Sequence, residues 1–322
     1  MEADRIANIP GIKIGHAQDL KAATGCTVVI CEQGAVAGVD VRGGAPGTRE
    51  TDLINPVNLV EKIHAVVLAG GSAFGLDAAA GVMQYLEEKG AGFDTGIARV
   101  PIVAGAVLFD LNCGDHRIRP DKAMGYQACL AAGGGKVDEG TVGAGTGATV
   151  GKYFGAEYAM KGGLGACCLK SGDLMVGAVV AVNCLGDVVD PLDRIILAGA
   201  LDEDRKSFRH TEEAILELNG KFSNVFAGNT TIGVVVTNAG LTKAQAGKVA
   251  SMAHNGYAKT IRPVHTMFDG DTIFTMATGQ LIADVNVVGI LAGRAVEQAV
   301  IRGVRQASSL AGYISYGELE GK

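Results

Sequence analysis

The stretch GNTTIGVVVTNAG, Gly228 to Gly240, governs how the rest of the chain is read. Its second half has the composition of a buried strand. Ile232, Val234, Val235 and Val236 are apolar and β-branched, and an Asn-Ala-Gly turn closes the run. Its first half is unlike a strand interior, with a glycine, an asparagine and two adjacent threonines at the first rung. Thr230 and Thr231 are either a polar strand entrance or a source of chemistry, and the local sequence supports both readings. Threonine is a good strand residue, and its hydroxyl is a weak nucleophile until a base lies beside it. Were the Asn229–Thr230 bond cut, Thr230 would carry that base itself as a free α-amine, a group that titrates at about 7.7–8.0. The same hydroxyl attacking the Asn229 carbonyl would make the cut, aided by the backbone freedom of Gly228.

Outward from this stretch, strand patterns recur at Cys26–Cys31, Ala35–Val41, Ala65–Ala69, Leu174–Val182 and Thr272–Ala277. Helical patterns are distinct from them. Ser72 is placed to cap a helix whose apolar face is Leu76, Ala79, Ala80, Met83 and Leu86, ended by Gly90. Asp121 to Ala132 and Thr242 to Tyr257 read as two more helices. The strongest, from Asp284 to Ala307, keeps Val288, Leu291, Ala292, Ala295, Val296, Ala299 and Val300 on one face. Strands and helices alternate irregularly, with no repeat and no linker. That predicts one α+β domain over residues 1–322, with helices covering sheet faces. The most charged segment, Leu201 to Val225, reads as a solvated loop plus a short helix directly before Gly228.

Composition narrows the function. The 322 residues are 48% apolar and 19% charged, enough to bury a large core. Glycine is abundant at 48 residues while aromatics are 5%, which predicts close backbone packing. A net charge of −6 without a basic cluster argues against a nucleic-acid partner. No apolar run reaches membrane-spanning length, and the N-terminal residues lack a secretory apolar core, so the cytoplasm is expected. The seven cysteines have no repeated spacing and sit in apolar runs, as reduced thiols used as small hydrophobes do. Neither they nor the six scattered histidines form a metal-ligand pattern, and no metal or cofactor is expected.

Several motifs fail on their spacing. GAGTGATVGK, Gly143 to Lys152, imitates a nucleotide loop but has no strand before it, no helix after it, and Tyr153 where a phosphate loop needs Ser or Thr. Ser72 in GGSAFG imitates a nucleophile elbow, but Phe74 stands where a glycine is required. What survives is Lys152, a lone cation in an uncharged glycine-rich stretch. Asn183 survives too, an amide closing the apolar strand GAVVAVN and able to aim its NH₂ at a developing oxyanion. Asp269 and Asp271, in FDGDTIF, are either a polar turn or a pair of anions that orient an amine or hydroxyl.

Taken together, RGGAPGTRETDL (Arg42–Leu53), GGSAFGLDAAAGV (Gly70–Val82), the GTGATVGK stretch, GNTTIGVVVTNA and DGDTIFTMATG resemble the self-processing L-aminopeptidase/D-esterase family. That family includes β-peptidyl aminopeptidases and the nylon-oligomer (6-aminohexanoate oligomer) hydrolases, and the resemblance runs in order over essentially the whole chain. It implies a four-layer αββα sandwich of N-terminal-nucleophile hydrolase type. It also implies self-cleavage into chains 1–229 and 230–322, and homo-oligomers that are tetramers or multiples of them. Carried onto these residues, Thr230 is the nucleophile, Asn229–Thr230 the cleaved bond and Asn183 the oxyanion donor. Lys152 sits beside the nucleophile, and Asp269 with Asp271 orients the groups. Threonine with Lys152 and Asp-Gly-Asp is similar to the nylon-oligomer branch, whereas the aminopeptidase members use serine. The expected activity is hydrolysis of a small peptide or amide. The rival readings are an acyltransferase of the ornithine-acetyltransferase kind and a non-processing binding homologue.

Overall fold

The valine-rich half of Gly228–Gly240 is the strand Ile232–Ala239, and every residue in it is buried. It lies at the centre of the sheet because both its edges are paired and both its faces are covered, which is why it reads as a continuous apolar run. The computed structural model of the chain describes residues 2–4, 6–218 and 228–321. Ten of its strands form one sheet: β1 (Glu2–Asp4), β2 (Lys13–Asp19), β3 (Thr24–Val41), β4 (Thr48–Arg49), β5 (Lys62–Ala69), β6 (Val103–Val107), β7 (Gly163–Ser171), β8 (Leu174–Val182), β9 (Ile232–Ala239) and β10 (Thr272–Leu281). Their order is β1-β7-β8-β9-β10-β3-β5-β6-β4, with β2 also on β3. Pairs β9–β10 and β5–β6 are parallel, and the others are antiparallel.

The two strand patterns at Cys26–Cys31 and Ala35–Val41 are one strand, β3, interrupted by a register shift between Ile30 and Ala35. Its first half pairs with β2 and β5, and its second half pairs with β10. The sheet folds over at this strand. Alternating side chains show the result: Val28 and Ile30 lie in one apolar cluster while Val29 lies in another. The middle cluster joins Val29, Val66, Leu68, Ala104 and Ala106 to Val179, Ile232, Val234, Phe274 and Met276, so the two halves of the sheet face each other.

The outer faces are covered by helices. Helices α1 (Ala78–Glu88) and α2 (Lys122–Leu130) pack on β3, β5 and β6. Helices α3 (Lys243–Thr260) and α4 (Val285–Arg305) pack on β7 to β10. Three stacked apolar clusters therefore separate four layers, helix–sheet–sheet–helix. The expected αββα architecture is present, built from one folded sheet and not from two separate ones.

Local sequence explains the helix ends. Asp121 accepts the Met124 N–H, Thr242 and Gln245 form a capping box, and Asp284 accepts the Asn286 N–H. Ser72 does not cap. It has φ of +53° in a 3₁₀ turn, Ser72–Asp77, that starts after Gly71, and α1 begins only at Ala78. The charged segment is exposed turns followed by the helix Thr211–Leu218, as expected, and residues 219–225 of it lie outside the described residues. All seven cysteines are free and only Cys167 is not fully buried. Among the described residues, no helix is long and apolar enough to cross a membrane and no cluster suits a metal ion.

The glycine content acts through close packing. At Gly165 of β7 a Cβ would lie 1.9 Å from the Ala299 carbonyl oxygen of α4 and 2.5 Å from Gly303 N. Gly165→Ala is therefore expected to push α4 off the sheet and cost about 2–3 kcal/mol, as overpacked cores do. Denaturant unfolding should show a lower midpoint at unchanged slope.

Candidate active site

Strand register assembles the site. Ala181 of β8 pairs antiparallel with Ile232 of β9, and Ile232 pairs in parallel with Thr272 of β10. Two residues back along β9, Thr230 therefore falls between Asn183 and Gly270. Thr230 N donates to Asn183 O at 2.9 Å, and Gly270 N donates to Asn229 O at 3.0 Å. The Thr230 hydroxyl is hydrogen-bonded to the same Asn229 carbonyl oxygen. Residues far apart in sequence thus converge because three strand ends meet. Gly228, directly before, has φ of +46°, the left-handed conformation that glycine adopts readily.

Lys152 is buried beside this junction. Its Nζ donates to Thr149 O at 2.9 Å, Asn183 O at 3.0 Å and Asn183 Oδ1 at 2.8 Å. Three donors meet three acceptors, which suits an ammonium. Burial pulls the Lys152 pKa down to about 7, with nearby Cys184 and Asp269 opposing the drop. Asn183 O is the acceptor shared by Lys152 Nζ and Thr230 N.

The Asn183 amide has a fixed orientation. Its Oδ1 accepts from Lys152 and from Thr149 N at 2.9 Å, so Nδ2 faces the other way. There it donates to Phe109 O at 3.1 Å and to Gly228 O at 3.4 Å. In this uncut chain the Asn183 donor therefore meets the carbonyl one residue before the Asn229 carbonyl.

Asp269 and Asp271 are both buried, flanking Gly270. Asp271 Oδ1 accepts from Thr231 N at 2.8 Å, and Oδ2 accepts from His265 N at 3.1 Å and lies 2.9 Å from His265 Nδ1. Asp269 Oδ2 accepts from Thr266 N at 2.9 Å and Thr266 Oγ1 at 2.6 Å, while Oδ1 lies 3.4 Å from Leu185 N. Burial, then the neighbouring Asp271 charge, pushes Asp269 up to about 6. Asp271 thus holds the backbone directly after Thr230, while Asp269 holds the Thr266 turn and lies near Leu185 N.

All five expected side chains therefore gather at one place, with Asn229 between them. Sequence reasoning passed over Gly270, His265, Thr266 and Phe109. The glycine between the two aspartates was the one available signal. The nucleotide-loop imitation is an interior turn whose N–H groups are consumed within the chain: Ala144 N donates to Thr27 Oγ1 at 3.1 Å, and Thr146 N to Gly143 O at 3.1 Å. Ser72 lies at the edge of the cleft beside Thr230. That cleft encloses about 580 Å³, open mouth included, and is lined by Ala45, Pro46, Phe109, Asn229 and Phe268 among others. No lining residue among those described carries a charge.

Known proteins share this sequence and fold. The profile of peptidase family S58 matches residues 4–316. An uncharacterised aminopeptidase of Mycobacterium tuberculosis is 42% identical, over 98% of this chain and 97% of its own. A 6-aminohexanoate-oligomer endohydrolase of Paenarthrobacter ureafaciens is 34% identical, over 85% of this chain and 75% of its own. The L-aminopeptidase/D-Ala-esterase/amidase of Ochrobactrum anthropi, described as a variant of the Ntn hydrolase fold, superposes with a TM-score of 0.71 at 17% identity, over 98% and 92% of the two chains.

The raised Asp269 pKa has a measurable sign. The folded chain keeps this proton up to about pH 6, the unfolded chain only to about 3.9, so between those values folding takes up a proton and stability falls as pH rises. Asp269→Asn removes that loss. Its stability relative to the wild type should improve by on the order of 2 kcal/mol between about pH 4 and about pH 7, by urea unfolding. A difference that stays flat with pH would mean that Asp269 ionises like an ordinary carboxylate.

Proposed function

Because the chain belongs to peptidase family S58, we propose that it is a self-processing amide hydrolase whose nucleophile is Thr230, exposed by cleavage of the Asn229–Thr230 bond. The observation that carries this reading is the convergence at Asn183 O. The atom that would become the α-amine, Thr230 N, and the Lys152 ammonium share that one acceptor, next to the Thr230 hydroxyl.

In the processed protein the Thr230 α-amine takes the proton of its own hydroxyl as Oγ1 attacks the substrate carbonyl. Removal of Gly228 and Asn229 from the cleft frees Asn183 Nδ2 from Gly228 O, and this amide then donates to the tetrahedral oxyanion, an interaction worth about 3–4 kcal/mol. Collapse expels the amine half of the substrate, protonated by the α-ammonium. Water then hydrolyses the Thr230 ester and the acyl half departs. Lys152 acts on the α-amine by like-charge repulsion, holding more of it unprotonated near neutrality. The uncharged walls of the cleft favour a neutral, slim acyl group. Asp269 and Asp271 hold Thr231 and the turn around Gly270, so that the hydroxyl and both donors keep their places.

Two measurements test this. Intact mass under denaturing conditions should show fragments of 229 and 93 residues, the smaller beginning TTIGVVV. Thr230→Ala should remain at full length, and Thr230→Ser should still be cut. Persistence of full-length wild-type protein on ageing would remove Thr230 from the chemistry. In processed enzyme, Lys152→Met removes the repelling charge, so the α-amine pKa rises toward its ordinary value of about 8. The acid limb of the kcat/KM profile should then move to higher pH, and a limb that stays in place would leave Lys152 with a packing role alone.

A further inference from the structure

Self-cleavage has an electrostatic requirement that Asn183 does not meet in the uncut chain. When Thr230 Oγ1 bonds to the Asn229 carbonyl carbon, negative charge develops on Asn229 O. A donor must face that atom. The Asn183 amide is held one residue away, on Gly228 O and Phe109 O, because Lys152 and Thr149 N fix its other end. Besides the attacking hydroxyl itself, the donor that faces Asn229 O is the backbone N–H of Gly270, at 3.0 Å.

Resting on the Thr230 reading above, we propose that Gly270 N–H is the oxyanion donor of the self-cleavage step, distinct from the Asn183 amide that serves substrate. Three observations support it. First, the distance lies within the range that such donors occupy. Second, the bond is a rung of the parallel β9–β10 pairing, which continues with Thr272 N to Thr231 O at 3.2 Å, and the bridge between Asn229 and Asp269 extends it past the strand ends. A donor built into a sheet needs no reorganisation as the charge appears. Third, only glycine fits at this position: a Cβ at Gly270 would lie 2.7 Å from Thr230 Oγ1 and 2.7 Å from Ala45 O. The residue that offers its N–H to the carbonyl is thus also the one whose missing side chain leaves room for the nucleophile.

The step balances without any added reagent. The Oγ1–C bond forms, the carbonyl electron pair moves to Asn229 O under Gly270 N–H, and the hydroxyl proton passes to Thr230 N. The C–N bond then breaks, leaving an ester between Asn229 and Thr230 and a free α-amine. Water hydrolyses the ester to the Asn229 carboxylate and the Thr230 hydroxyl.

The test replaces one N–H with oxygen and leaves the side chains alone. Cell-free translation with glycolic acid in place of Gly270 converts that amide to an ester. The control places the α-hydroxy analogue of threonine at Thr272, deleting the next rung of the same ladder. Time courses of intact mass then give the cleavage rate. The ester at 270 should slow cleavage 100-fold or more, as loss of an oxyanion donor does, while the ester at 272 stays within a few-fold of wild type. Equal slowing by both esters would mean that the bond matters only as sheet pairing, and the proposal fails. Wild-type cleavage with the ester at 270, alongside an inert Thr230→Ala, would overturn the Gly270 donor and leave the Thr230 nucleophile intact. Cleavage persisting in Thr230→Ala would overturn both.

Discussion

Two backbone hydrogen bonds hold the Asn229–Thr230 peptide from opposite sides: Thr230 N–H on Asn183 O, and Gly270 N–H on Asn229 O. Both follow from the register of β8, β9 and β10. A slip of one residue in either pairing would turn the side chains of β9 to the wrong face and take the carbonyl off its donor. The register is in turn enforced by burial, since Ile232, Val234 and Val236 fill the space between the sheet halves while Val235 faces α3 and α4. The apolar half of the stretch thus fixes where its polar half lies. The folded-over sheet is not a scaffold for a separate site, because the site is the place where three of its strands end.

Polar groups concentrate at that end at some expense to stability. Lys152 and Lys161 are both fully buried, and each donates to three acceptors. Lys161 binds the carbonyls of Gly145, Ala148 and Gly162, and burial lowers its pKa to about 8. It holds the interior turn that leads into Thr149 and Lys152. Lys152 uses the same three-acceptor arrangement, but two of its acceptors are on Asn183. One lysine is an internal pin, and the other is tied to the residue that touches Thr230. Such desolvated charges destabilise a fold unless every donor is used, and here all are.

Much of this was legible in the sequence, for identifiable reasons. Strands β8 and β9 and helices α2, α3 and α4 follow from periodicity. The polar opening of β9 marked Thr230, and isolation in an uncharged stretch marked Lys152. The convergence was not legible from spacing, because Asn183, Thr230 and Gly270 are joined only by strand register. The layering likewise depended on the family resemblance. Ser72 was misread since its left-handed φ is set by contacts of the turn after Gly71, which propensity does not register. The two segments of β3 looked like separate strands because the register shift between Ile30 and Ala35 lies in polar residues, although the ladder continues past them. Gly270 went unmarked because the one signal, a glycine between two aspartates, is also that of an ordinary turn, and its N–H contribution has no residue-type signature.

Burial of Asn229 gives the proposed cleavage a reason to run one way. The Asn229 side chain is 2% exposed, and neither its Oδ1 nor its Nδ2 has a hydrogen-bond partner among the described residues. Holding it there costs about 1–3 kcal/mol for each unpaired group. On the proposed cut, Asn229 gains a carboxylate within a turn that already buries Asp269 and Asp271 on either side of Gly270. A third anion in that space would be poorly solvated and would meet Asp269 and Asp271 as well as the buried Lys152. On the proposed reading, the severed end would leave toward solvent through the cleft. That departure would take Asn229 O off Gly270 N–H and Gly228 O off Asn183 Nδ2, so loss of the product of the proposed first reaction would expose the donors of the second.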